Sequence, residues 1–509
     1  MGFKEAVWLL AIISTVSAWH PSWHHTSSIT TPPLPTTTAS SNASATLVTT
    51  TALPGDETPP NHWVPDRPDP YVCEYLGEND CWQPSIIQEG PPYMGFDHSR
   101  PPPWTRRRTC IVPSHNDPRK DDAPAILWTF RRCRENSHIV FQNTTYHIFS
   151  IMNTTGLHNV DVELKGTLSW NNDNIAYWLA NSLPVGFQNQ TSAWHFGGSY
   201  VHFYGHGYGT FNGNGQVWYK YANGTGNLHG RPHQITFTNS KDTVIEGLNF
   251  LKAQMWTTTV ARSERILLQD IYVNNSCDPG KGTFKNCNLN TDGCDTFYAN
   301  NITFARWTTD VGDDAIALKQ NSTNIAIFNS TFHNGQGIAL GSIGQYPGQI
   351  GVMENFTAQN IRAYHTTFGA YLKSWTGLDT GDPPNGGGGG FGRCRNVTFE
   401  GFEVGNVSMA WSIDQDQSYN GVKGGEDTSR FQFEDIHFND VHGTLQGDRV
   451  VSFQCSGAAP CTGLSMSNYG FTVFSNGSVP ERYLCDNVVD PQGFECTGST
   501  NSGINGGTK

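Results

Sequence analysis

Charge is what this chain has least of. Only 15% of its 509 residues are Asp, Glu, Lys or Arg, against about a quarter in an average soluble domain. Without alternating Lys and Glu faces it lacks the material of a helical bundle or coiled coil. Basic stripes are missing too. The net charge is -13, and the one basic cluster, Arg106-Arg107-Arg108, reads as a solvated loop, so nucleic acid is not an expected partner. No stretch after the first twenty residues approaches 18 uninterrupted apolar residues, which excludes a membrane-spanning helix. Cys-x-x-Cys is absent as well, and His24-His25 stands alone in a polar tail. No metal site and no cofactor are therefore expected.

What is abundant is glycine (54 residues) and aromatic side chains (12%), together with Asn, Ser and Thr. These are the residues of turns and strands, and they point to an all-β protein.

The N-terminus reads as an address. Lys4, an apolar run from Ala6 to Val16 and the small residues of Val16-Ser17-Ala18 have the form of a secretory signal cleaved after residue 18. From Thr26 to Pro54, 15 of 29 residues are Ser or Thr, and no Lys or Arg occurs between Lys4 and Arg67. Such a segment cannot collapse into a core, so residues 19–70 are expected to be a disordered, O-glycosylated leader, with a folded domain over 71–500 and a flexible tail after it. Thirteen Asn-x-Ser/Thr sequons support export. Those in the domain are Asn143, Asn153, Asn189, Asn223, Asn274, Asn301, Asn321, Asn329, Asn355, Asn396, Asn406 and Asn476. The twelve cysteines are expected to be mostly disulfides, with Cys277 and Cys287, Cys455 and Cys461, and Cys485 and Cys496 each able to close a short loop.

Within the domain the same pattern recurs: apolar, any, apolar, a polar or small pair, apolar. It appears at Thr243–Phe250, Ile266–Val273, Ile302–Thr309, Ile325–Phe332, Phe356–Ala363, Val397–Val404 and Phe431–Phe438. The shortest spacing is 23 residues, and longer ones carry insertions. Short strands, Asn and Gly turns and no helical period identify one coil of a parallel β-helix, with Asn at left-handed corners. A sandwich would need two-residue hairpins and a propeller a period of about 40 to 50 residues, and neither is present. Gly386–Gly390, five glycines in a row, lacks the strand and helix of a phosphate cradle and is expected to be a flexible surface loop.

Residues one coil apart lie on neighbouring rungs, about 4.8 Å apart. Asn290-Thr291-Asp292 is followed 21 residues later by Gly312-Asp313-Asp314, which brings three carboxylates into one patch. Crowded carboxylates hold a proton beside ionised partners, as glycosidic cleavage requires.

Asn290-Thr291-Asp292-Gly293, Gly312-Asp313-Asp314 and Gly337-Ile338-Ala339-Leu340-Gly341-Ser342-Ile343-Gly344 resemble the successive motifs of glycoside hydrolase family 28, the polygalacturonases and related pectinases. The resemblance spans about residues 110 to 450. It implies a right-handed parallel β-helix and inverting hydrolysis, with Asp313 as general acid and Asp292 and Asp314 holding and activating the water. Asn290, Gln336, Tyr371 and Lys373 match the family's substrate-binding positions. Two of these depart from its pattern, since glycine-His-glycine reads Gly335-Gln336-Gly337 and Arg-Ile-Lys reads Tyr371-Leu372-Lys373. Tyr371 removes a bidentate carboxylate clamp and leaves Lys373 as a point charge. Its ring could stack on a neutral or methylated sugar face, with Trp375 and Trp307 as further candidates, although packing is the expected role of each.

The long stretches Thr376–Cys394 and Asp414–Arg430 match loops that block one end of the cleft in exo-acting members. The expected activity is thus a secreted, monomeric exo-hydrolase of pectic polysaccharide, releasing galacturonate from (1,4)-α-galacturonan or, alternatively, terminal rhamnose from rhamnogalacturonan. A non-catalytic polysaccharide-binding solenoid is the reading from another class, opposed by retention of all three aspartates. A lyase would need a basic proton abstractor, and no matching motif is present.

Overall fold

The computed structural model describes residues 108–278, 287–418, 425 and 427–500. The signal and leader readings and Arg106 and Arg107 lie outside these residues, as do residues 419–424 and 426 of the Asp414–Arg430 insertion. The apolar, any, apolar pattern folds as expected into strands stacked in parallel. Lys241–Leu251, Glu264–Asn274, Asn300–Asp310, Ser322–His333, Ile350–Tyr364 and Phe391–Val407 follow one another in a long ladder, and Arg430–Leu445 and Cys461–Val473 continue it. Thr243, Ile266, Ile302, Ile325, Phe356 and Val397 form one continuous register, so six of the seven repeat units align as read. The seventh is displaced, because Val397 pairs with Ile436 and not with Phe431. Phe431 stands opposite Gly392, in a strand extended at its start by the same apolar alternation.

A second ladder of shorter strands runs alongside: Ile235–Thr238, Thr258–Ala261, Cys294–Phe297, Asp314–Leu318, Gly337–Ile343, Phe368–Trp375, Met409–Gln417, Arg449–Gln454 and Arg482–Asp486. Two ladders of parallel strands enclosing one apolar interior make a parallel β-helix. Aromatic rings stack from coil to coil inside it, with Trp411 and Phe438 at 4.6 Å and Phe399 and Phe438 at 5.3 Å between ring centres. Phe438 is fully buried, and truncating it to Ala is expected to cost about 3–5 kcal/mol.

Corners are built by Asn in the left-handed region, among them Asn324 (φ 56°), Asn355 (φ 61°) and Asn396 (φ 54°). Their amides form a ladder of one side chain per coil: Asn324 donates to Asn300, Asn355 to Asn324 and Asn396 to Asn355, at 2.7 to 2.8 Å. Each bond satisfies a group that a turn of another sequence would leave to water.

Three disulfides form as spacing suggested, Cys277–Cys287, Cys455–Cys461 and Cys485–Cys496, and a fourth joins Cys110 to Cys133. Cys294 and Cys394 are buried free thiols. Asn274 is buried, donating to Tyr272 Oη and accepting from Ser276 N and Oγ, which encloses the side chain of that sequon. One expectation is corrected. Gly386, Gly387, Gly388 and Gly390 are buried rather than forming a loose surface loop. Gly387 has φ 131° and any Cβ there would lie 2.4 Å from Gln345, while one on Gly388 would lie 2.0 Å from the Leu378 carbonyl oxygen. Close backbone packing, not mobility, is what this run of glycines provides.

Candidate active site

Alternation along the short ladder sends one column inward (Cys294, Ile316, Ile338, Ala370) and the next outward (Asp295, Ala317, Ala339, Tyr371). The outward column is the floor of a groove. Three carboxylates gather at its middle, where Asp292, Asp313 and Asp314 each offer an oxygen within 4.8 Å of the other two. Asp292 and Asp314 are buried and Asp313 is half-buried. The motif residues are thus brought together as the spacing requires.

Two ammonium groups offset this concentration of negative charge. Lys373 Nζ lies 3.3 Å from Asp314 Oδ2, and Lys319 Nζ lies 3.6 Å from the same oxygen and 3.2 Å from Asp295 Oδ1. Tyr371 donates its phenolic hydrogen to Asp314, and Lys373 donates to the Tyr371 oxygen. Burial alone would raise the Asp314 carboxyl, but Lys373, Lys319 and Tyr371 outweigh it and hold that carboxyl below its ordinary value. Asp292 has no cation as close. Burial first, then Asp295, Asp313 and Asp314, push its carboxyl well above the ordinary range. Burial also carries Asp295 up to about 7 against the pull of Lys319. The cluster therefore keeps a proton through the acid range beside an ionised Asp314, and the proton belongs to the group as a whole.

Asp313 is the member that faces the groove. Asn290 Nδ2 donates to its Oδ2 at 3.3 Å, and Gln336 N donates to its backbone oxygen at 2.9 Å. Gln336 thus touches Asp313 through the main chain. Tyr371 departs from its expected role, because its ring is 7% exposed and stacks on Phe368 at 4.7 Å, with its hydroxyl turned to Asp314. A buried ring offers no face to a sugar. Trp307 and Trp375 are fully buried and belong to the packing.

Asp295 and Lys319 are the groups that motif reading passed over. The signal was present, since Asp295, Phe297 and Lys319 share the outward parity of the strands that carry the motifs.

A hairpin roofs part of the groove. The strands Leu183–Pro184 and Thr191–Ser192 make an antiparallel hairpin whose second strand runs beside Pro232–His233. Val185 and Phe187 of this hairpin pack on the outward-facing Ala261 and Phe297, with Tyr346 against them. Gln188 Nε2 donates to Gln345 Oε1 at 2.6 Å, and the Gln188 amide donates to Tyr346 Oη at 2.7 Å. Gln345 Nε2 in turn donates to the carbonyls of Pro384 and Gly386, within the first predicted insertion. From that insertion, contacts step from Asn385 to Asn227, from Asn227 to Asn290, and from Asn290 to Asp313. The roof is tied to the carboxylates themselves.

A partly roofed groove over a β-helix with clustered carboxylates is the architecture of a polysaccharide-cleaving glycosidase. The chain belongs to glycosyl hydrolases family 28, whose profile matches residues 150–496. It is 43% identical over 393 residues to an Aspergillus niger protein named alpha-L-rhamnosidase rgxB, covering 77% of this chain and 90% of that one. A second Aspergillus niger relative, named as galacturan 1,4-alpha-galacturonidase A, is 37% identical over 412 residues, covering 76% and 93%. Among solved structures, an endo-xylogalacturonan hydrolase from Aspergillus tubingensis superposes with a TM-score of 0.62 at 20% identity, covering 77% of this chain and 99% of that one. An exopolygalacturonase from Thermotoga maritima does so at 0.55 and 15%, covering 76% and 92%. These likenesses identify the solenoid as the right-handed parallel β-helix.

Proposed function

We propose that the protein is an exported, exo-acting hydrolase that removes the terminal sugar from a pectic backbone. The observation that carries this reading is the roof: Gln188 bonds Gln345, whose side chain also bonds the Pro384 and Gly386 carbonyls, so the hairpin and the insertion are joined over the groove, as suits an enzyme that admits a chain end. The names of the relatives, which divide between galacturonidase and rhamnosidase, support the same reaction on the same class of polymer. An exported enzyme suits a polymer that lies outside the cell and suits four disulfides, which persist in oxidising compartments. Among the described residues no helix is long and apolar enough to cross a membrane.

In this mechanism Asp313, half-exposed in the groove, protonates the leaving glycosidic oxygen. Asp314, ionised by its two lysines and Tyr371, takes the proton of the attacking water, and Asp292 helps to position that water. No covalent intermediate forms, and the anomeric centre inverts. Oxygens within 4.8 Å are closer than the roughly 6.5–9.5 Å span of the general inverting rule, so inversion rests on the family resemblance and is open to direct measurement.

The test is Asp313→Asn assayed on pectic oligomers. Hydrolysis is expected to fall at least about 10³-fold with the thermal transition unchanged. Activity close to wild type would remove Asp313 from the chemistry, and no hydrolysis by either protein would favour the binding-module reading.

A further inference from the structure

The first coil of the solenoid has an open end. Its strand Arg108–Ile111 pairs with Glu135–Phe141 on one edge and with no described strand on the other, and an unpaired edge is a template for a further segment. The helix Ala123–Arg132 lies at the same end. It is joined to that strand by the Cys110–Cys133 disulfide and by Arg108 Nη1, which donates to the Arg132 carbonyl at 2.9 Å. Ala123, Ile126, Thr129 and Phe130 are its buried face, with Phe130 at 6.1 Å from the rings of both Phe141 and Trp194. The helix thus plugs the core with one side and turns the other outward.

That outward side combines apolar surface with positive charge. Trp128 is 52% exposed and Ile111 48%. The Arg132 guanidinium lies 4.8 Å from the centre of the Trp128 ring, and Arg108, Arg131 and Arg134 are exposed at the same end. Arg134 reaches Glu135 at 3.2 Å; among the described residues, none of the other three arginines pairs with a carboxylate. In a chain of net charge -13, four arginines around a half-exposed indole have the composition of an interface rather than of a solvated surface.

Charge and connectivity decide the occupant. A second copy would set the same arginines against these, and like charges across an interface oppose association. The chain itself supplies the complement, because residues 71–99 hold Glu74, Glu78, Asp80, Glu89 and Asp97, no Lys or Arg, and aromatic side chains such as Trp82 and Phe96. Residues 100–107 join this segment to Arg108, a reach of up to roughly 30 Å when extended. Arg108 already touches the last turn of the helix, and Trp128 stands one turn before it. So short a tether holds the segment at an effective concentration on the order of millimolar, which any free acidic polymer has to exceed.

We propose that residues 71–99 fold back across the first coil and seat on Trp128, Arg131 and Arg132, so that the chain's own acidic segment closes this end of the solenoid. Hydrogen exchange and hydroxyl-radical footprinting of the mature, full-length chain test this. The triple variant Glu74→Lys, Glu78→Lys, Asp80→Lys leaves every solenoid residue in place. Relative to it, wild type is expected to oxidise Trp128 at least about 3-fold more slowly and to exchange the amides of residues 71–99 at least about 10-fold more slowly. Arg131→Glu with Arg132→Glu should release the segment in the same way, with far-ultraviolet circular dichroism confirming the strands. Combining both sets of substitutions should restore the protection, which a mere loss of folding does not do. Free-peptide exchange of residues 71–99 in wild type, or equal oxidation of Trp128 in wild type and the triple variant, overturns the proposal. So does protection of Trp128 that appears only as protein concentration rises, which gives the face to a second copy. Protection that needs added oligogalacturonate overturns it as well and gives the face to an acidic polymer.

Discussion

Tyr371 reaches back past Ala339 and Ala317, which pack against its ring, to donate a hydrogen bond to Asp314. The two alanines are what make that reach possible, since a larger outward side chain on either rung would fill the path. A hydroxyl therefore stands where the family resemblance anticipates a guanidinium, and it serves a carboxylate of the enzyme.

Removing that hydroxyl takes away one of the groups that keep Asp314 ionised. Tyr371→Phe is expected to lower kcat about 10- to 100-fold, the value of a hydrogen bond to a charged group. The Asp314 carboxyl is held low, so the acidic limb of the pH profile should move to higher pH in the variant. A profile that keeps its acidic limb would deny Tyr371 this role.

Asp295 governs the opposite limb. Its carboxyl sits at about 7, and its charge helps to raise Asp292. Activity that needs the cluster's proton should fall as pH rises through about 7. Asp295→Asn removes the repulsion, lowers the Asp292 carboxyl and should shift the alkaline limb to lower pH. The same residue has a sign in stability: a folded-state value raised above the unfolded one means the native state binds the extra proton between about 4 and 7, so its contribution weakens as pH rises across that window. Asp295→Asn should flatten that part of the curve of unfolding free energy against pH, as read by urea titration.

Cutting the tie between hairpin and insertion should change where the polymer is cut. Gln345→Ala loses the bonds to Gln188, Pro384 and Gly386. The expected product pattern gains internal oligomers that wild type does not make, visible by anion-exchange chromatography. A variant that still yields only single sugars would mean that packing of Val185 and Phe187 holds the roof unaided.

Glycan occupancy should follow burial. Asn143, Asn153, Asn223 and Asn476 are exposed and are expected to carry glycans, whereas Asn274, enclosed by Tyr272 and Ser276, should be unmodified. Peptide mapping after enzymatic deglycosylation reads this directly, and a glycan on Asn274 would contradict the packing of that corner.

Proton NMR of the first product formed gives the stereochemistry. The expected signal is the anomer opposite to that of the substrate linkage, and retention would replace the water mechanism by a covalent one.

The long ladder was legible because its alternation has a fixed period and its core positions are aliphatic or aromatic. Val397 and Phe431 show where that ends: the alternation in Arg430–Leu445 extends over several residues on either side of the true unit, so the pattern alone places the register five residues early. The three aspartates were legible because one-coil spacing is itself a distance. Asp295 and Lys319 left only their outward parity as a signal, since their part depends on which outward side chain leans toward which rung. The roof was visible only as an insertion, because a bond between residues 188 and 345 leaves no local trace.

That bond spans 157 residues of chain. At about 5–20 residues per second, synthesis delivers Gln345 on the order of ten to thirty seconds after Gln188. A nascent protein with its first coils already wound thus carries a hairpin still without its tie, and the roof is completed only when the later loop arrives.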